Sequence, residues 1–227
     1  MGIGHLAVGF AARRAAPAVP LAVLLLAATL LDVLLGAFLL LGLEHARIVP
    51  GVTAASPIDL YDYPFSHSLV AAALWSVLFA ALFSLYRRNR GAALIAAACV
   101  LSHWVLDVIS HRPDVPVALH GPFLGLGLWN SVPATIVVEE GMLAAGVVLY
   151  LRGTTAKNRG GTWGLGALVA LMAVLGAAGY LGPPPPNITP VAVANVASVL
   201  LLLVVHAVDR QRTAAGVVPP APPAATH

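Results

Sequence analysis

Long apolar runs separated by short polar segments dominate the chain, and this pattern predicts membrane-spanning helices. Six runs have about the twenty residues that a helix needs to cross the hydrocarbon core of a bilayer. We expect these spans at residues 20–43, 66–86, 91–111, 132–151, 163–181 and 190–208. A further apolar segment at residues 2–15 gives about 21 Å of helix, which is too short for a full crossing.

The composition agrees with a polytopic, all-α integral membrane bundle. Of the 227 residues, 59% are hydrophobic and 9% are charged, which is less charge than a soluble domain carries. We expect one transmembrane domain at residues 1–209, followed by a disordered Ala/Pro-rich tail at 210–227. The single cysteine, Cys99, excludes both a disulfide framework and a cysteine metal site. The basic residues lie in short loops, so no nucleic-acid partner is predicted.

The distribution of basic residues predicts the orientation in the membrane. Of the 12 lysines and arginines, all but Arg47 and Arg112 fall on one side of this topology. By the positive-inside rule, the crowded side is cytoplasmic. We therefore expect a multi-pass protein of the inner (plasma) membrane with a cytoplasmic C-terminus, whose loops at 44–65 and 112–130 face outward.

The stretch Leu101–Pro113, LSHWVLDVISHRP, carries the clearest candidate chemistry. Its His103, Asp107 and His111 recur every four residues, which places them on one face of a helix. Imidazole and carboxylate groups are ligands that divalent metals prefer. His103 and Asp107 are one turn apart and can share an ion. His111 is about 12 Å from His103 along an unbroken helix, so it serves either a second metal, acid–base catalysis or substrate contact.

Other ionisable residues in the spans lie at a similar depth. Counted from the basic loops, Asp32 and the adjacent Glu139 and Glu140 lie about 18–20 Å above the inner boundary, close to His103 and Asp107 at about 20–25 Å. Ionisable groups inside a membrane are costly and usually functional. We expect a polar cleft open to the outside with these groups at its floor. Glu139 and Glu140 project about 100° apart, so one of them, with Glu139 favoured, would face the site as a catalytic group.

The mouth of this cleft is expected near the outer surface. His67 and His111 fall about 30 Å above the inner boundary. Ser66 is expected to cap the helix that follows it, and the helix N-terminus with Ser66 and Ser68 favours a bound anion. Arg112 is a second candidate for holding an anionic substrate group. The remaining ionisable residues of the outer loops are expected to be solvated: Glu44, His45, Asp59, Asp62 and Asp114.

Several short motifs together resemble a known family. They are Gly4-His5, Asp32, Ser66-His67-Ser68-Leu69, His103-x3-Asp107-x3-His111 and the segment 125–131 followed by Glu139-Glu140. Over residues 4–150 they resemble the membrane-bound, metal-dependent hydrolases of bacterial inner membranes, the LexA-regulated YdjM-like group. The zinc-dependent phospholipase C family is similar more loosely.

The resemblance implies a metal site for zinc, or for manganese. Its ligands would be His5, Asp32, His67, His103 and Asp107, with His111 as a further member. The chain departs from the group in its second helix, where Pro-Asp-x-Asp-His is typical. Here the sequence is Leu31-Asp32-Val33-Leu34-Leu35, without the second acid and the histidine.

Three functions remain open at this point. The first is a metal-dependent hydrolase that cleaves an ester or phosphoester of an amphiphilic, lipid-like substrate from the outward cleft. The second is a transporter or permease, because buried acids and histidines across several spans also describe cation or proton pathways. The third is a non-catalytic membrane protein that a structural metal holds together. Membrane lipids are expected partners in each case.

Overall fold

The fold is an all-α bundle, as the sequence predicts, and a computed structural model describes it for residues 1–215. The helices are α1 Gly4–Ala15, α2 Leu21–Leu41, α3 Pro64–His67, α4 Leu69–Arg87, α5 Arg90–Ser110, α6 Val132–Gly153, α7 Arg159–Leu181 and α8 Thr189–Arg210. Six of them, α2 and α4 to α8, are long and apolar enough to cross a membrane.

Side-chain caps fix where four of the spanning helices begin. In each case the side chain before the helix accepts the backbone N–H three residues further on, which satisfies one of the free donors of the first turn. These caps are Ser68, Asn89, Ser131 and Asn158. The expected cap at Ser66 is therefore wrong by two residues. Ser68 adopts an extended conformation, with ψ at 151°, and separates the short helix α3 from α4.

The short helix α1 lies inside the bundle and packs against α2, α5 and α6. Glycines allow this close approach. A Cβ atom on Gly146 of α6 would collide with the carbonyl oxygen of Ala7, and one on Gly9 would collide with Leu25 of α2. As a result, α1 can carry a polar side chain into the protein interior, and His5 is buried there.

Three two-stranded antiparallel hairpins complete the fold. They pair β1 His45–Ile48 with β2 Ile58–Asp62, β3 Val115–Pro116 with β4 Phe123–Leu124, and β5 Thr154–Ala156 with β6 Arg212–Ala214. A 3-10 turn spans Leu128–Asn130. The segment predicted to be disordered thus begins with strand β6. Its remainder, residues 216–227, lies outside the described residues.

The end of the bundle away from β1 and β2 is closed by Asp209. Its carboxylate accepts the backbone N–H of Leu21 at 3.0 Å and the Tyr150 hydroxyl at 2.7 Å, and it lies 3.7 Å from Arg13 Nε. These contacts join α1, α2, α6 and α8. They leave the opposite ends of α2 and α5 to build the site described next.

Candidate metal centre

Six ionisable side chains meet inside the bundle. Helix α1 contributes the first, α2 the second, the end of α3 the third, and α5 with the residue after it the other three. They are His5, Asp32, His67, His103, Asp107 and His111. All except Asp32 are buried. Every metal ligand predicted from the sequence is therefore in one cluster.

Four ligand atoms in this cluster have the spacing of a tetrahedral metal site. Asp107 Oδ2 lies 3.2 Å from His103 Nε2 and 3.5 Å from His67 Nε2. Asp32 Oδ1 lies 3.8 Å from each of the same two nitrogens. Metal–ligand bonds of about 2.0–2.2 Å in a tetrahedron separate neighbouring ligands by about 3.3–3.6 Å. The four atoms thus fit a zinc-sized ion with small adjustments.

The hydrogen bonds of His103 leave its inner nitrogen free to bind an ion. Its Nδ1 lies 2.8 Å from the carbonyl oxygen of Ala28, which can only accept a hydrogen bond, so Nδ1 carries the proton. Nε2 is then an acceptor, and it faces the acceptor Asp107 Oδ2. Neither atom has a hydrogen-bond partner among the described residues. Two buried acceptors that face each other require a cation between them.

His67 is held in the same tautomer by a chain of two further residues. The Ser66 hydroxyl donates to Glu44 Oε2 at 2.6 Å, so at 2.7 Å it accepts the proton of His67 Nδ1. His67 Nε2 then points its lone pair at Asp107 and Asp32. Burial lowers the pKa of His67 well below its usual range, which keeps the ring neutral, as a metal ligand must be.

Glu44 was expected to be a solvated loop residue, and this expectation is wrong. The residue is 1% exposed, and its Oε1 also accepts the backbone N–H groups of Phe65 at 2.8 Å and Ser66 at 2.7 Å. Its position just after Gly42, which ends α2 in the left-handed region at φ 69°, turns the chain back over α3. Burial raises the pKa of Glu44, and the hydrogen bonds from Ser66 oppose this shift.

The other oxygen of Asp107 faces nitrogen atoms. Its Oδ1 lies 2.5 Å from the backbone nitrogen of Met1, 3.1 Å from His5 Nε2 and 3.7 Å from His111 Nε2. The His5 ring stacks on that of His103, with centroids 3.6 Å apart and planes at 3°. Asp107 is thus the centre of the cluster, with one oxygen on the tetrahedral set and one on His5 and His111.

His67 and His111 were expected near the mouth of the cleft, and the structure instead places both beside Asp107. Two breaks in the backbone explain the difference. Helix α3 ends at His67, before α4 begins, and α5 ends at Ser110, so that His111 is extended with ψ at 157°. Depth counted along straight helices therefore does not apply to these two residues.

His111 is oriented by an acid that sequence analysis did not single out. Its Nδ1 lies 3.1 Å from Asp114 Oδ1, so the ring donates to the carboxylate and leaves Nε2 as an acceptor toward Asp107. Trp129 packs against the imidazole, with ring centroids 4.2 Å apart. Only the His111–Asp114 spacing of three residues, around Pro113, hinted at this pairing in the sequence.

Arg112 is engaged by two carboxylates of the protein. Its Nε donates to Asp114 Oδ2 at 2.9 Å, and its Nη2 donates to Asp59. Asp59, expected to be solvated, is buried and also accepts from Arg47 Nε at 2.7 Å. The hydrogen bond to Asp114 raises the pKa of Arg112. Arg112 therefore fixes the carboxylate that orients His111.

Glu139 and Glu140 are not part of the cluster. Glu139 is buried at the start of α1, where Oε2 accepts the backbone N–H groups of Gly2 at 2.8 Å and Gly4 at 3.1 Å. Its Oε1 accepts the Tyr180 hydroxyl at 2.6 Å. Glu140 is half-buried on another face of α6. Glu139 thus positions the helix that carries His5.

A cleft of about 760 Å³ opens onto the cluster. Four cluster residues form its polar end: Asp32, His67, Asp107 and His111. Ser66 and Ser68, predicted to bind substrate, are not among its lining residues. The Asp32 side chain is 33% exposed, whereas those of His67, His103 and Asp107 are at most 2% exposed. Solvent and ligands therefore reach the candidate ion on the Asp32 side.

The comparison of the whole sequence with known families agrees with this architecture. No curated protein and no solved structure matches the chain. The sequence profile of the YdjM inner membrane protein family matches residues 1–184, which include all six cluster residues and five of the six spanning helices up to the end of α7. Because this match covers most of the 227 residues, the chain belongs to the YdjM inner membrane protein family.

Proposed function

We propose that the chain is a membrane-embedded, metal-dependent hydrolase that cleaves an ester or phosphoester of an amphiphilic substrate. The observation that carries this proposal is the convergence of His67 Nε2 and His103 Nε2, both unprotonated, on Asp107 Oδ2. Such a set of acceptors in an apolar bundle is stable only around a cation. We infer zinc, with manganese as the alternative, because the donors are imidazoles and carboxylates.

The exposed position of Asp32 distinguishes a catalytic from a structural site. A catalytic zinc keeps one coordination position open to water, whereas a structural zinc is enclosed by four protein ligands. Three of the four ligands here are fully buried, and the fourth lies at the cleft. When bound, zinc supplies a Lewis acid that brings the pKa of water near to neutrality.

The protein also supplies a group that can move a proton. His111 Nε2 lines the cleft as an acceptor, and Asp114 stabilises the imidazolium that forms when this atom takes a proton. In the proposed reaction, the oxygen of water bonds to the acyl carbon or phosphorus of the substrate. His111 Nε2 takes the proton from that water and returns it to the alcohol oxygen that leaves. Water is thus divided between the two products.

The location of the cleft indicates the substrate class and the orientation. Its polar end lies among buried spans, and apolar side chains of α2, α7 and α8 form most of its wall. An amphiphile that presents its ester to the cluster and its chain to this wall fits both parts. From the loop charges we infer that the cluster side faces outward and the C-terminus lies in the cytoplasm.

The proposal is tested with purified protein in nanodiscs, loaded with zinc or manganese. The probes are nitrophenyl esters and nitrophenyl phosphoesters that carry alkyl chains. We expect turnover that requires metal, falls by about a hundredfold or more in His111→Ala, and is absent in Asp107→Asn. Turnover that is equal with and without metal, or no turnover of either probe class, would overturn the proposal.

A further inference from the structure

The cleft continues past the cluster as a narrow apolar groove between α2, α7 and α8. On α8, the residues that line it recur at helical spacing: Val191, Ala194, Asn195, Ser198, Leu201, Leu202 and Val205. On α2, the lining residues run from Leu39 through Asp32 to Leu25. The groove therefore follows both helices toward the opposite face of the membrane.

The groove ends about 10 Å beyond the cluster. Leu25 lies two helical turns below Asp32 on α2, which gives this distance at 1.5 Å per residue. At that depth Leu25 and Val205 are fully buried, and Met172 of α7 is 2% exposed. These three side chains close the groove.

The wall below Asp32 has no free polar group among its described lining residues on α2. Thr29 donates its hydroxyl to the Leu25 carbonyl oxygen at 2.9 Å, so its polar atom is already satisfied within the helix. Leu201 and Leu202 face the groove from α8 and pack against the same apolar cluster as Leu25. The groove thus offers a hydrocarbon environment whose open end is the candidate metal centre.

We propose that this groove seats a single medium-length hydrocarbon chain of the substrate and limits the length that fits. The ester or phosphoester would lie at the cluster, and the chain end against Leu25, Met172 and Val205. A depth of about 10 Å is shorter than one leaflet of about 15 Å, so a full-length membrane acyl chain exceeds the groove. The assignment of the reacting head group rests on the proposed function, whereas the binding of the chain does not require turnover.

Two adjacent leucines of α8 provide a matched pair of variants. Leu202 lines the groove, about 6 Å below Ser198, whereas Leu203 is 69% exposed on the bilayer-facing side. Leu202→Trp fills the groove with an indole ring. Leu203→Trp makes the same chemical change where only lipid is displaced.

The experiment measures binding of butyl-, octyl- and dodecylphosphonate to the zinc-loaded protein in nanodiscs by calorimetry. These probes carry an anionic head for the metal centre and have no ester bond to cleave. Burial of each methylene favours binding about threefold to fourfold, so octylphosphonate should bind about a hundredfold more tightly than butylphosphonate. Dodecylphosphonate should gain nothing further. In Leu202→Trp the gain for the octyl chain should disappear while butylphosphonate binds as before, and Leu203→Trp should behave as the wild type.

Three outcomes would overturn the groove assignment. The first is an affinity that keeps rising to the dodecyl chain equally in all three proteins, which indicates partition into bulk lipid only. The second is equal behaviour of Leu202→Trp and Leu203→Trp. The third is no binding of any phosphonate. A chain-length limit without turnover of any nitrophenyl probe would support the groove and reject the hydrolase, and turnover independent of chain length and of Leu202→Trp would do the reverse.

Discussion

The Ser66 hydroxyl links Glu44 to His67, with its oxygen 2.6 Å from Glu44 Oε2 and 2.7 Å from His67 Nδ1. This link fixes the proton of the imidazole on Nδ1 and aims Nε2 at the two aspartates. Outer partners of this kind orient metal ligands and raise their basicity. The link therefore gives Ser66 a role behind the ligand in place of the predicted contact with substrate.

Replacing Ser66 with alanine should weaken metal binding without removing a ligand. We expect Ser66→Ala to lower zinc affinity about tenfold to a hundredfold, because His67 loses the partner that sets its tautomer. The measurement is competition for zinc with a chelating dye. Ser68→Ala is the control, since it removes the cap of α4 and should cost about 1 kcal/mol of stability with zinc affinity unchanged. Equal zinc affinities in the two variants would reject the role of Ser66.

Asp114 should affect turnover and leave the metal in place. In Asp114→Asn the amide no longer stabilises a protonated His111, so we expect kcat to fall about tenfold to a hundredfold at constant metal content. Asp62→Asn is the control, because Asp62 pairs with His45 at 2.9 Å on the exposed hairpin and should have no effect. A parallel loss of metal and turnover in Asp114→Asn would instead make the acid a support of the whole cluster.

Glu139 and Glu140 should differ in a thermal unfolding measurement. Glu139→Gln places an amide group against the N–H donors of Gly2 and Gly4, which leaves buried donors unpaired and should cost about 1–3 kcal/mol. We expect a lower Tm and weaker zinc binding through displacement of His5. Glu140→Gln, at a half-buried position, should change stability by less than about 0.5 kcal/mol. Unchanged stability and zinc affinity of Glu139→Gln with lost turnover would restore the predicted catalytic role.

The spanning helices and the core of the site were accessible from the sequence because both follow from regular spacing. Apolar runs of about twenty residues predicted α2 and α4 to α8. The four-residue interval of His103 and Asp107 placed both on one helical face. The depth of Asp32, counted from the nearest basic loop, correctly matched theirs.

The remaining members of the site depend on features that periodicity does not encode. His67 reaches Asp107 because the chain breaks at Ser68, and His111 does so because α5 ends at Ser110. Glu44 and Asp59 come from a hairpin that folds back over α3 and buries them, although isolated loop acids are usually solvated. Glu139 satisfies the start of α1, a contact between segments 135 residues apart. Each of these requires the tertiary structure.

The central claim is that Asp107 and its histidines hold a metal ion, and metal content tests it most directly. Purified wild-type protein, Asp107→Asn and the control Glu140→Gln are loaded with zinc, dialysed and measured by elemental analysis, with circular dichroism as the check on folding. We predict about one equivalent of zinc in the wild type and the control, and none in Asp107→Asn while it stays helical. A wild-type protein that retains no metal, or an Asp107→Asn variant that retains as much, would contradict the account.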